Sequence, residues 1–503
     1  MKSIINLLLG MLILALATSC SDNKNMEKMI PADATGVICV KVPNFIKKAR
    51  LDKGGDCVLP DQLKQVIDQN DGSLMSEVMS DLPKSGLDFG DNIYVFFSQG
   101  TFRYVCLATL DDDDATKQML EYRTGGKFKK VDGVDYLGYQ AFCFVIDDDV
   151  LLIGRDNYVA DDKKRTDAAR LIFSKTQKSV RDVDDIKDCI GADNDLNAYF
   201  DIKGLNAMLQ TIPGFKNAVQ QYPFISIFTD SDIKAFTCSL NFENEGASIT
   251  AKIKADKNSD YITLLNTVMA KPDNEFLKGI PISMKYLFSI SVKGQQFAQL
   301  DQIKKSLNLL SNLPSMDKLD LRGIINSVDG PLAIALSPSY FSGEDGDSTF
   351  INDWNMAIAL KSSKPDEVVK SIVKFADEMG QPDMLKDGKH LFNYDGMPVL
   401  VWAQGSTVCV TRLDHELTED NFYNAAQDAK DRFATSPIGF YVQKDVGKTS
   451  GYFNFGFKNA TQGDGLFYTA KETDVPALTF IEILCSLPPV QVYDDDDYVD
   501  NFN

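Results

Sequence analysis

Histidine is nearly absent: 503 residues contain only two, His390 and His415. Histidine-rich zinc sites and His-Glu-x-x-His helices cannot be built from that supply, and a Ser-His-Asp or Cys-His relay would need one of the two as its base. Neither is well placed for that. Asp414-His415-Glu416 follows a strand ending at Arg412 and opens a helix, which reads as a surface helix entry; His390 reads as the start of a strand. No two cysteines stand two residues apart, so the zinc and thioredoxin spacings are missing as well. Lys53-Gly54-Gly55-Asp56 lacks both the spacing and the strand-to-helix setting of a phosphate loop. Calcium-loop spacing fails twice. In Asp68-Gln69-Asn70-Asp71-Gly72 the glycine comes one residue early, and Asp193, Asp195 and Asn197 have no glycine at the sixth place.

Positive charge is also short, with 52 basic against 72 acidic residues and a net charge of -20. A nucleic-acid partner needs a basic face, so that class is set aside. With so many acids, carboxylate pairs of the glycosidase kind are inevitable and uninformative. Long apolar runs are missing after residue 19: Ala477 to Leu487 comes nearest, and Glu482 breaks it.

The first twenty residues are the exception. Lys2 precedes an apolar run from Ile4 to Ala17 that ends at Leu16-Ala17-Thr18-Ser19-Cys20. A charged start, a short apolar stretch and small residues before a cleavage point mark a removable signal over 1–19. By resemblance to bacterial lipoproteins, Cys20 carries the lipid, a thiol-linked diacylglycerol with an acyl chain such as palmitate on the amine, and two or more chains anchor a body firmly. Residues 20–28 then read as a polar tether. Ser21 is not the Asp that retains lipoproteins at the inner membrane, so the outer membrane is the expected address, on its surface or its periplasmic face.

The remainder repeats itself at a spacing of about 252 residues, which sets a first repeat at 29–255 and a second at 256–487. Phe102 to Ala108 falls on Trp354 to Leu360, Asp114 on Asp366, Gly138 to Val145 on Asp395 to Trp402, and Arg155 on Arg412. Val40, Lys41 and Phe45 fall on Val292, Lys293 and Phe297, and Ala198 to Asp201 on Gly451 to Asn454. The pattern predicts first-half strands near 36–42, 92–98, 102–109, 134–138, 141–146, 149–154, 196–201 and 234–254. Hairpins outnumber crossovers, so the fold class is α+β: two homologous repeats, each a mainly antiparallel sheet with helices packed on one face. Asp111 to Asp114 open a helix, where acid complements the dipole, and Pro365 and Asp366 open its counterpart. A metal role for that run is the weaker reading.

Cysteine takes aliphatic slots. Cys106 is matched by Ile358, Cys143 by Leu400 and Cys409 by Leu152, which marks them as core hydrophobes. Only Cys57 and Cys189 lie in polar surroundings where a disulfide could form. Residues 488–503, with Asp494 to Asp497 and no basic residue, read as an acidic tail.

The halves differ at one hairpin. Ser98 to Phe102 turns tightly, whereas Ser337 to Trp354 is about 13 residues longer and holds Tyr340, Phe341, Glu344, Asp345 and Asp347. Aromatics beside acids suit a sugar or peptide, so this loop is the candidate binding element, with a merely tolerated surface insertion as the plainer reading. The expected function is a non-enzymatic binding or scaffolding ectodomain without cofactor or metal, held to the membrane by its lipid and contacting an envelope protein or glycan. An envelope hydrolase with a carboxylate pair and a periplasmic assembly factor are the alternatives.

The opening Met29-Ile30-Pro31-Ala32-Asp33-Ala34-Thr35-Gly36-Val37-Ile38, after the tether and before Val40-Lys41 and a short helix, resembles the Bacteroidetes lipoprotein family known as domain of unknown function 4836. The resemblance implies an envelope location and a large α+β ectodomain. It brings no established catalytic residue.

Overall fold

The computed structural model describes residues 26–48, 85–98, 100–156, 161–174, 178–209, 232–243, 246–281, 283–312, 318–338, 354–386, 388–394, 397–413, 427–446 and 449–469. Tight turns make its hairpins. Asp132 and Gly133, with φ of 50 and 94°, give the Asp-Gly turn that matches strand twist, and Asp148 and Asp149 do the same at φ 49 and 58°. The first ten strands are β1 (Gly36–Val40), β2 (Ile93–Phe97), β3 (Phe102–Thr109), β4 (Lys129–Val131), β5 (Val134–Tyr139), β6 (Phe142–Asp147), β7 (Val150–Asp156), β8 (Leu196–Asp201), β9 (Ala235–Glu243) and β10 (Gly246–Lys254). The next ten are β11 (Tyr286–Lys293), β12 (Val328–Pro338), β13 (Trp354–Ser362), β14 (Met384–Lys386), β15 (Lys389–Tyr394), β16 (Met397–Gln404), β17 (Thr407–Arg412), β18 (Ile438–Val446), β19 (Thr449–Phe457) and β20 (Gln462–Thr469).

All twenty belong to one antiparallel sheet within an α+β chain. The first set runs β4-β5-β6-β7-β3-β2-β1-β8-β9-β10. The second runs β14-β15-β16-β17-β13-β12-β11-β18-β19-β20. They meet where β10 pairs β20, from Gly246 opposite Tyr468 to Lys252 opposite Gln462. A sheet this wide exceeds the usual span of strongly twisted open sheets, and its outermost strands β4 and β14 are short, which limits edge pairing.

Helices cover both faces of the sheet, not one. In β13, Ala357 and Ala359 join a core with Phe276, Trp402, Cys409 and Phe433. Leu360 of the same strand lies in another core with Val401, Val408 and Val368 of helix Pro365–Glu378. In β3 every residue except Arg103 is buried. Central strands with apolar side chains on both faces need cover on both, and that pattern overrides the one-sided expectation.

Three further points revise the sequence reading. Met26–Lys28, assigned to the tether, is a 3-10 turn with Met26 buried against Val37 and Tyr94. The Tyr94 hydroxyl donates to Glu27 Oε1 at 2.9 Å and Arg181 Nε donates to Glu27 Oε2 at 2.7 Å, so the folded body includes these residues. The stretch 234–254 is two strands, β9 and β10. Finally, Ala198 to Asp201 lies in β8 beside β1, but Gly451 to Asn454 lies in β19, while β18 is the strand beside β11. Neighbouring strands with similar Tyr-Phe pairs are indistinguishable by pattern alone.

Asp112 caps helix Asp113–Thr124 by accepting from the Ala115 amide at 3.0 Å, which accounts for the acidic run. Pro365 opens the later helix.

Candidate functional site

A cleft of 910 Å³ opens on the first half, where β1 and β3 begin and β2 and β8 end. Its walls are set by backbone bonds. The Thr35 amide donates to Phe97 O at 2.9 Å and the Asp201 amide donates to Thr35 O at 2.9 Å, locking β1 between its neighbours. Ser98 Oγ donates to Phe102 O at 2.8 Å and closes the β2–β3 turn. Asp201 Oδ1 accepts from the Gly204 amide at 2.7 Å at the start of helix Ile202–Leu209. Glycine suits that position because a Cβ on Gly204 would sit 2.5 Å from Thr35 Cγ2.

The facing wall is helix Asp162–Phe173, capped by Asp161, which accepts from the Lys164 amide at 2.8 Å. Lys164, Asp167, Ala168 and Leu171 follow helical spacing and line the cleft, while Ala169 turns into the core. Phe96 and Phe102 form a nearly closed floor. The rim carries Asp33, Lys164, Asp167 and Lys203, all exposed, and none makes an ion pair among the described residues. Hydroxyls of Thr35, Ser98 and Thr101 add donors and acceptors. Carboxylates and ammonium groups without an ion pair among the described residues, with hydroxyls beside them and an apolar floor below, can bind a polar ligand by several hydrogen bonds at once.

Behind the helix lies a buried ion pair. Arg165 donates to Asp156 Oδ2 from Nε at 2.9 Å and Nη2 at 2.7 Å, and from Nη2 to Gln140 O at 2.8 Å. The Tyr136 hydroxyl donates to Asp162 Oδ1 at 2.6 Å. The hydrogen bond from Lys129, then that from Tyr136, holds the Asp162 carboxyl below its usual range. This network orients the helix that forms the cleft wall.

The described residues lining this cleft are not those expected from sequence to form the site. Cys20, Cys57, His415, the acidic tail and the loop residues Tyr340, Phe341, Glu344, Asp345 and Asp347 lie outside the described residues. The stem of that loop is visible: β12 ends and β13 begins at the sheet end that matches the β2–β3 turn lining the cleft. Cys189 is a free thiol whose Sγ donates to Ala198 O at 3.4 Å. Cys39, Cys106, Cys143 and Cys409 are buried free thiols, and burial pushes each up to about 12. His390 is the second residue of β15, and its Nδ1 lies 2.7 Å from Asp383 Oδ2. The groups lining the cleft come from distant positions, and one signal was available: Pro31 and Asp33 of the opening motif face it.

The family described as domain of unknown function (DUF4836) matches residues 26–374. No curated protein matches the chain. Crystal form I of TP0453 is similar with a TM-score of 0.28 and 8% identity, covering 47% of this chain and 79% of that one. Crystal form IV of TP0453 gives 0.29 and 10%, covering 45% and 79%. Likeness at these scores carries no argument about fold or function.

Proposed function

This chain belongs to the DUF4836 family, and from that premise we propose a lipid-anchored, non-enzymatic envelope protein that binds a polyhydroxylated ligand, a glycan, in the cleft of its first half. The observation that carries the reading is the set of rim charges Asp33, Lys164, Asp167 and Lys203, which make no ion pair among the described residues, around a preformed cleft. Neighbouring sugar hydroxyls pair well with carboxylates and ammonium groups that are not already engaged, and a preformed site spares the cost of ordering it. The signal over 1–19 and Cys20 would supply the anchor, with the outer membrane as address. Matching strand orders in the two sets support two homologous repeats produced by duplication, the second carrying the longer hairpin loop.

The test is a glycan array followed by calorimetry on the hit. Lys164→Ala with Lys203→Ala should abolish binding and leave melting unchanged; binding that survives the pair sinks the proposal. Asp33, Asp167 and Asp201 also favour the hydrolase alternative, since three carboxylates line one cleft. Turnover of the bound glycan, lost in Asp167→Asn, would replace binding by catalysis. Protease treatment of intact cells addresses location: cleavage puts the body on the outer face, and protection until permeabilisation puts it in the periplasm.

A further inference from the structure

The face of the first-half sheet opposite the cleft carries a pair of arginines around one tyrosine. Phe96 lines the cleft, so Phe97, the next residue of β2, points the other way. Its ring lies 6.3 Å from that of Tyr104 in β3 and 6.0 Å from that of Phe200 in β8. Tyr104 faces Arg155 of β7, whose guanidinium carbon is 5.5 Å from the centre of the Phe142 ring. The register shifts beside this pair. Phe102 faces Asp156 and Tyr104 faces Arg155, so Arg103 is an extra residue in β3. Bulges of this kind re-aim side chains, and the charges of Arg155 and Arg103 both act on the Tyr104 hydroxyl.

These groups lack mates. The Tyr104 hydroxyl and Arg103 Nε are buried and make no hydrogen bond. Neither Arg103 nor Arg155 has a carboxylate partner among the described residues. Asp156, next to Arg155 in β7, is taken by two hydrogen bonds from Arg165. Buried polar groups in folded proteins are nearly always satisfied, so unmet donors gathered around one point call for a ligand. Burial outweighs the two cations and raises the pKa of Tyr104, so its hydroxyl keeps its proton and can donate.

We propose that Arg103, Arg155 and Tyr104 bind a doubly charged phosphate group. Guanidinium forks fit the oxygens of a tetrahedral oxyanion in pairs. Two fixed positive charges match a dianion better than a single carboxylate, and a phosphate monoester carries about -1.5 to -2 at neutral pH. Phe97, Phe142 and Phe200 are half-buried and offer an apolar wall to the carbon part of an ester. The second set of strands shows the contrast. In β13 Met356 faces Arg412 and follows Asn355, so that place keeps one guanidinium and has neither the second nor the phenol. The phosphate site therefore belongs to the first half, and it stands apart from the glycan reading of the cleft.

Calorimetry of the full chain tests this with two titrants, inorganic phosphate and vesicles of phosphatidylcholine with phosphatidic acid. Binding of the free ion supports a soluble phosphorylated ligand, and binding of the vesicles alone supports a lipid headgroup; both keep the shared chemistry. Arg103→Gln should weaken whichever titrant binds by about tenfold or more. Tyr104→Phe keeps the ring, so it should weaken binding too while the melting temperature of the free protein holds or rises, because a buried unpaired hydroxyl is gone. No binding of either titrant overturns the proposal, and so does an affinity unchanged in both variants. Lys164→Ala with Lys203→Ala should leave phosphate affinity intact; its loss there would move the anion to the cleft and overturn this site. Glycan binding should be unaffected by Arg103→Gln, so the two proposals fail separately.

Discussion

Replacing Arg165 by methionine should be among the most damaging single changes in the first half. The guanidinium and Asp156 side chains are 6% and 1% exposed, and Arg165 supplies two hydrogen bonds to that carboxylate and one to Gln140 O. Methionine fills much of the volume yet takes the Arg165 guanidinium away from the buried Asp156 carboxylate, a change that costs about 3–5 kcal/mol. Removing both charges costs far less, because a buried pair roughly breaks even against apolar replacements. Asp156→Asn combined with Arg165→Met should therefore recover at least about half of the single variant's loss. Urea unfolding followed by far-UV circular dichroism reads both. A single-variant loss under about 1 kcal/mol, or a double variant no better than the single, would refute the argument that desolvated charge dominates here.

Other expectations follow from the same geometry. Burial raises Cys39, Cys106, Cys143 and Cys409 from 9.0 to about 12, so below pH 9 the folded and unfolded thiols are equally protonated. Above pH 9 only the unfolded chain loses those protons, so stability should fall as pH rises from 9 towards 12, by about 1.4 kcal/mol per thiol at pH 10. Melting temperatures from pH 7 to 10 check this, and the slope should weaken in Cys106→Val. Asp112→Ala removes the acceptor for the Ala115 amide and should cost about 1 kcal/mol by urea titration, with Asp112→Asn nearly neutral. Gly36→Ala places a Cβ 2.6 Å from Phe200 Cδ1 and 3.2 Å from Phe97 Cδ2, which should cost about 1–3 kcal/mol by the same titration.

Sequence periodicity identified most of the sheet because each hairpin strand carries its own alternation. β3, β6 and β7 fall where the pattern put them. β4 escaped notice because Lys129–Val131 has three residues and almost no apolar content. The cysteine slots were legible because a register partner fixes size: Leu107 faces Leu152 in β7, and Ala359 faces Cys409 at the matching place in β17. Two-sided burial was written in β3, where Val105-Cys106-Leu107-Ala108 shows no polar alternation, but the hairpin count outweighed it. The cleft was illegible for a different reason. Asp33, Lys164 and Lys203 are ordinary surface charges in sequence, and only the meeting of β1, helix Asp162–Phe173 and the end of β8 makes them neighbours.

The seam between β10 and β20 gives this chain an order of completion. β10 is the last strand of its set, and its free edge is satisfied by the last described strand of the protein. During synthesis the first ten strands wait with that edge open until β20 emerges, and a neighbouring chain's β20 presents the same seven-residue register. Crowded nascent chains thus face a choice between closing on themselves and exchanging strands, decided by which β20 arrives first.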